Sequence, residues 1–181
     1  MSDTPLRFVA RLLRPATPKG ATWTFLLLPG DASAALPSRG LVTVEGALAD
    51  APFQATLQPD GKGGHWMKVP KALLQSASVR AGDEVHLQIA PIAEEPEPKV
   101  PAPLRAALAA EPAAKLAWKS LTPVGRRDWI HWIESAKKAE TVERRIATTC
   151  DMLASGKRRV CCFDRSGIYG GGMAAPQAMA D

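Results

Sequence analysis

The stretch Pro91-Ile-Ala-Glu-Glu-Pro-Glu-Pro-Lys-Val-Pro-Ala-Pro103 constrains this chain more than any other feature. It holds five prolines and three glutamates, with only Ile92 and Val100 as sizeable apolar side chains. Proline lacks the backbone donor and fixes φ, so neither a sheet nor a long helix can run through such a segment. The chain is therefore expected to fold as two small modules on either side of a tether. Before the tether, short apolar runs alternate between turn residues. After it, apolar residues recur at helical spacing. The boundaries read as a first module over 1–91, a linker over 92–103, a helical module over 104–160 and a tail over 161–181.

The total of 181 residues supports two modules, each near the lower size limit for independent stability. No apolar run approaches the roughly 20 residues needed to span a bilayer. The opening Met1-Ser-Asp-Thr-Pro-Leu-Arg lacks the apolar stretch of a secretory leader, and the expectation is a cytoplasmic protein. Cysteines occur only at 150, 161 and 162, which is no disulfide framework. Charge is unevenly placed. Residues 1–99 hold ten Lys and Arg against ten Asp and Glu, and residues 100–181 hold thirteen against eight. The whole excess of +5 thus lies in the second half, which fits an anionic ligand, a nucleic acid or an acidic protein partner.

The first module reads as a small closed β-barrel. Candidate strands are Leu6–Leu13, Thr22–Leu28, Gly40–Leu48, Phe53–Leu57, His65–Val69 and Glu84–Ile89. Six short strands at this spacing suit a barrel, because closure removes exposed sheet edges. Pro29-Gly30 reads as a stop, Ala49–Pro52 as a hairpin turn, and Pro70 as the opening of a short helix. The glycine turn Gly61–Gly64 runs into His65 and Trp66, which makes these two the module's candidate ligand residues. The turn lacks the G-x-x-x-x-G-K-[ST] pattern of a phosphate loop. His65 and His86 have no second ligand at metal spacing, so neither a metal nor a cofactor is expected.

The second module reads as a bundle of short helices. Leu104 and Leu108 are one turn apart, Pro112 restarts the chain, and Thr122-Pro123 is a cap followed by a first-turn proline. Trp129, Trp132, Ile133 and Ala136 share a face of a helix expected over Val124–Ala139. Thr141 is expected to cap the next helix, and Gly156 to end it. Eleven residues make about three turns, so Arg126 would lie above Lys137 and Arg127 above Lys138. This gives a basic stripe beside the tryptophan face, and Arg126, Arg127, Lys137, Arg144 and Arg145, around an exposed edge of Trp132 or Trp129, form the expected binding surface. Trp129 shares its face with Ile133 and is expected in the core. Cys161 and Cys162 are expected as free thiols, since adjacent cysteines are poorly placed to share a metal or bond to each other.

Several motifs carry a family resemblance. Pro101-x-x-Leu-x-x-Ala-Leu108, Leu121-Thr-Pro123, Arg127-Asp-Trp-Ile-His-Trp-Ile133, Ala136-Lys137 and Thr141-x-x-Arg-Arg-Ile146 resemble the bacteriocin-protection, YdeI/OmpD-associated family. Phe8-x-Ala-x-Leu12, Val44-x-Gly46, Pro52-Phe53, Gly61-x-Gly63 and Gly82-Asp83-x-Val85 resemble the small β-barrel domain of unknown function that often precedes it. The last of these turns is also similar to the AbrB-like, double-split barrels. The resemblance implies an α+β architecture and a protective role, and it brings no catalytic residues. Together with the residues themselves it points to a binding protein rather than an enzyme. The alternatives are a small-molecule or enzymatic site at the barrel mouth or between the modules, involving His65, Trp66, Arg11 and Lys68, and a nucleic-acid-binding regulator.

Overall fold

A computed structural model describes residues 4–160 and 174–180. The described residues divide into two units. One comprises the residues up to Ala93 together with 174–180, and the other begins at Glu94. Cys161 and Cys162, singled out in the sequence, lie outside the described residues.

The first unit contains six strands and two short helices. They are β1 (Leu6–Arg11), β2 (Thr24–Leu27), α1 (Gly30–Ala34), β3 (Val42–Leu48), β4 (Ala51–Pro59), β5 (His65–Val69), α2 (Lys71–Ala77) and β6 (Glu84–Pro91). The strands form one antiparallel sheet in the order β1-β6-β3-β4-β5-β2. Alternation decides which side chains go inward. On β1, Ala10 is buried while Arg7, Val9 and Arg11 are exposed. On β6, Val85, Leu87 and Ile89 are buried while Glu84, His86 and Gln88 are exposed. The core joins these residues to Leu12, Leu26, Val44, Leu48, Leu57 and Met67. Closure is only partial. The sheet curls into a half-barrel, and beyond the end of β1 Leu13 forms an isolated bridge with Phe25 of β2, bonded both ways at 2.8 and 2.9 Å.

Two local features set the register. The β3–β4 turn has two residues, Ala49 and Asp50, at φ 44° and 71°. Two-residue hairpins with positive φ at both positions match the twist of the flanking strands. In the middle of β3, Gly46 lies opposite Phe53 of β4 and Ile89 of β6. A Cβ there would lie 1.9 Å from the Gln88 carbonyl oxygen, so the two strands approach at a distance only glycine permits. α1 departs from the sequence expectation, because Pro29-Gly30 starts a helical turn rather than ending the chain's regular structure. The 174–180 segment runs beside residues 14–16, with the Ala16 amide donating to Gln177 O and the Met179 amide to Arg14 O.

The second unit is four helices: α3 (Ala102–Ala110), α4 (Pro112–Lys119), α5 (Pro123–Glu134) and α6 (Ala139–Ala154). Its core holds Leu104, Leu108, Trp118, Trp129, Ile133, Ile146 and Leu153. Thr122 caps α5 as its sequence indicates, Oγ1 accepting the Gly125 amide at 3.1 Å. Gly156, at φ 89°, ends α6, and the Lys157 amide turns back to Met152 O. Between these points the helix boundaries correct the sequence reading. α5 stops at Glu134 instead of reaching Ala139, and Thr141 lies inside α6 rather than capping it. The physical reason is the Trp132 carbonyl. Ser135 Oγ donates to it at 2.9 Å and so does the Arg145 guanidinium, while the Ala136 amide turns to Ile133 O. The helical ladder is thereby interrupted after one tighter turn.

Candidate functional site

The early end of α5 breaks the expected basic stripe, and three of the arginines assigned to that surface, Arg126, Arg127 and Arg145, are engaged within the unit. Arg126 spans the C-terminus of α4. Its Nε and Nη2 donate to the carbonyls of Trp118 and Lys119 at 3.1 and 2.9 Å, and its Nη1 pairs with Glu97 at 2.6 Å. A cation here satisfies carbonyls that have no partner within their own helix. Arg127 pairs with Glu95 at 3.0 Å and with Asp128 at 2.9 Å. The Arg127 and Glu95 side chains are only 13% and 11% exposed, so water screens this pair less than an exposed one. The acidic residues of the proline-rich segment are thus strapped onto the helical unit from Glu94 onward. Composition alone would leave that segment unfolded.

Arg145 is likewise internal to the unit. Its guanidinium lies 5.1 Å from the Trp132 ring centroid and also donates to Ser135 Oγ at 2.9 Å, bracing the α5–α6 connection. Trp132 packs edge-on against fully buried Trp129, with ring centroids 6.1 Å apart. Trp129 Nε1 donates to Arg158 O at 3.3 Å. Lys137, Lys138 and Arg144 remain exposed, and among the described residues none has a carboxylate partner. Of the sequence-predicted surface, the structure therefore brings together half-buried Trp132 and Arg145, while exposed Lys137 and Lys138 lie in the connection from α5 to α6.

His131, which the sequence reading did not single out, is half-buried on α5. Burial lowers its pKa from the ordinary 6.5, Asp128 pulls the other way, and Arg127 adds to the lowering. The unfolded chain therefore binds a proton in a pH range where the folded unit does not, and stability falls as the pH drops below about 6.5 toward the folded value. Glu134 acts in the opposite sense, because burial raises its pKa from 4.5. Thermal melts between about pH 7.5 and pH 5.5 should show a lower Tm at the acid end in the wild type. The drop should be smaller in His131→Gln. An equal drop in both proteins would remove His131 as its source. Cys150 is a core thiol, its pKa raised first by burial and then by Asp151 and Glu111.

In the first unit, His65 and Trp66 open strand β5, with the bounds the sequence indicates, and are 1% and 9% exposed rather than open to a ligand at the glycine turn. His65 Nε2 meets the Gly40 carbonyl at 3.0 Å, which fixes Nε2 as the protonated nitrogen in the neutral ring, and its main-chain amide donates to Ser33 Oγ at 3.0 Å. His65 Nδ1 and Trp66 Nε1 are buried without a hydrogen-bond partner among the described residues. Trp66 lies edge-on to Phe25, with centroids 6.2 Å apart. On the neighbouring surface, Lys68 Nζ sits 5.0 Å from the Trp23 ring centroid. The glycine turn is not an open phosphate cradle. Asp60 Oδ1 already accepts the Lys62 and Gly64 amides at 2.7 and 2.8 Å. A Cβ at Gly64 would lie 2.5 Å from Asp60 Oδ2, so the Asp60 carboxylate would have to shift to admit one.

Hollows lined by the described residues open on this unit, and a pair of them bear on function. One, of about 380 Å³, lies over Gly46 and is lined by Glu45, Phe53, Gln88 and Ile89 among others. The second, of about 300 Å³, lies between the segment after α1 and Gly63, with Ser33, Ser38 and Arg39 in its wall. Ser33 on α1 and Ser38 in the segment after it carry no sequence pattern, and the sequence reading missed them. Among the described residues no group of three or more His, Cys, Asp or Glu could hold a metal ion. Within the same residues no helix is long and apolar enough to cross a membrane.

Comparison with known families agrees with the two-part architecture. No curated protein matches the chain. Residues 8–89 match the model of a domain of unknown function, DUF1905, and cover all six strands' core pairings. Residues 97–156 match the bacteriocin-protection, YdeI or OmpD-associated model and span α3 to α6. The chain therefore matches, in order along its length, the DUF1905 model and the bacteriocin-protection, YdeI or OmpD-associated model, the arrangement that its motifs resemble.

Proposed function

We propose that this chain is a non-enzymatic cytoplasmic binding protein, acting in bacteriocin protection, that holds an anionic partner at the α5–α6 corner of its helical unit. The observation that carries this reading is the contrast between two sets of cations. Arg126, Arg127 and Arg145 are engaged within the unit, whereas Lys137, Lys138 and Arg144 are exposed without a carboxylate partner among the described residues. Trp132 supplies a partly accessible aromatic ring at the same connection. Aromatic and cationic groups together favour acidic protein segments over neutral ones. The family description of residues 97–156 supports the protective role.

A polyglutamate peptide tests the charge preference. Its binding should change the tryptophan emission of the full chain and weaken between about 50 and about 200 mM salt. A Lys137→Glu, Lys138→Glu double variant should lose about tenfold in affinity, equivalent to about 1.4 kcal/mol. Binding that ignores both salt and charge reversal would sink the proposal, as would none at about 100 μM peptide. Tighter, salt-sensitive binding of a single-stranded oligonucleotide would instead favour a nucleic-acid-binding regulator.

A further inference from the structure

The hollow beside α1 has the chemistry of a ligand site, and it lies in the unit that the proposed helical surface does not use. Its wall includes Ser33, Leu36, Pro37, Ser38, Arg39 and Gly63. Ser33 is 4% exposed. Its Oγ accepts the His65 amide, so the hydroxyl proton is left to donate, and no acceptor for it occurs among the described groups. Ser38 is in the same condition, Oγ accepting the Gly40 amide at 3.0 Å. Arg39 is exposed and has no carboxylate partner among the described residues. The carboxylate of the nearby glycine turn, Asp60, is held by its own turn's amides. Two hydroxyl donors and a guanidinium thus accompany the apolar surface of Leu36 and Pro37.

We propose that this hollow binds a small organic oxyanion, a phosphate or carboxylate head on a compact apolar body. The guanidinium presents a planar fork that either head can accept in two places, and the serine hydroxyls complete the donor set. The volume is at the lower end for small-molecule sites, which limits the body to about one ring. His65 is the positioning residue. One side of it holds Ser33 and the other holds Gly40, so the wall segment between them is clipped at both ends to β5. A wall fixed before binding loses little conformational freedom when a ligand enters.

The test uses the full chain and amide chemical-shift titrations with phenyl phosphate and with benzoate, at ionic strength held constant with chloride. Saturable shifts at residues 33–40 and Gly63, with at least one probe, are expected, and the tighter probe identifies the head group. Arg39→Ala should weaken that binding by about tenfold or more while leaving the remaining spectrum in place. The variant lies on the surface, so its fold is not at stake. No saturable shift at about 10 mM of either probe would overturn the proposal. So would shifts centred away from these residues, or unchanged affinity in the folded Arg39→Ala protein.

Discussion

Trp129→Ala is expected to unfold the helical unit or leave it barely folded. The side chain is fully buried and touches the core that α3, α4 and α6 share, and its Nε1 donates to Arg158 O. Truncating a buried tryptophan costs about 3–5 kcal/mol, and here it also leaves a carbonyl without its donor. A domain of this size has a total stability of about 5–15 kcal/mol. Thermal melts followed by helical circular dichroism check the expectation, with Lys137→Ala as the comparison. Lys137 is exposed and its truncation should change stability by no more than about 0.5 kcal/mol. An unaltered melt for Trp129→Ala would mean that the indole is a ligand platform rather than a core residue.

The second large effect is expected from a single methyl group. Gly46→Ala places a Cβ 1.9 Å from Gln88 O, 2.8 Å from Gln88 C and 2.9 Å from Ile89 Cα. All three are main-chain atoms, so no side chain can swing aside and β6 must move from β3. That movement disturbs the central ladder of the sheet, and the cost should be about 3 kcal/mol. Gly30→Ala is the matched control. Nothing lies within 4 Å of its added Cβ, and the residue begins α1. It should be neutral, or stabilising by less than about 1 kcal/mol. Denaturant midpoints of the first unit separate the two variants, and equal midpoints would refute the close-approach argument.

What the sequence revealed follows from how far apart the interacting residues are. Strands β1, β3 and β6 were legible because side-chain alternation is a property of neighbours, and the Thr122 cap because its partner is three residues away. The continuous basic stripe was drawn from charge alone, because a sequence displays charge and not its partners. Glu95 lies 32 residues before Arg127, and Glu97 lies 29 before Arg126. The end of α5 depended on Arg145 reaching back 13 residues to Trp132 O. His65 and Trp66 drew notice for their position after a glycine turn. The fold instead covers them, His65 beneath the 33–40 segment and Trp66 against Phe25. The hollow with Ser33, Ser38 and Arg39 had no motif, since its chemistry arises only when that segment is clipped down.

The position of β6 in the sheet has a consequence for synthesis. β6 lies between β1 and β3, pairing Leu6 with Ile89 on one side and Leu48 with Leu87 on the other. As the chain leaves the ribosome, β3 and β4 can form their two-residue hairpin at once. β1, made first, waits for a strand whose residues emerge almost a whole domain later. Until then the inward face of β1 and one edge of β3 have no partner, and contacts between such distant residues form slowly. The nascent unit is thus most open to mispairing between the emergence of β1 and that of β6, and the last strand to appear is the one that joins the sheet together.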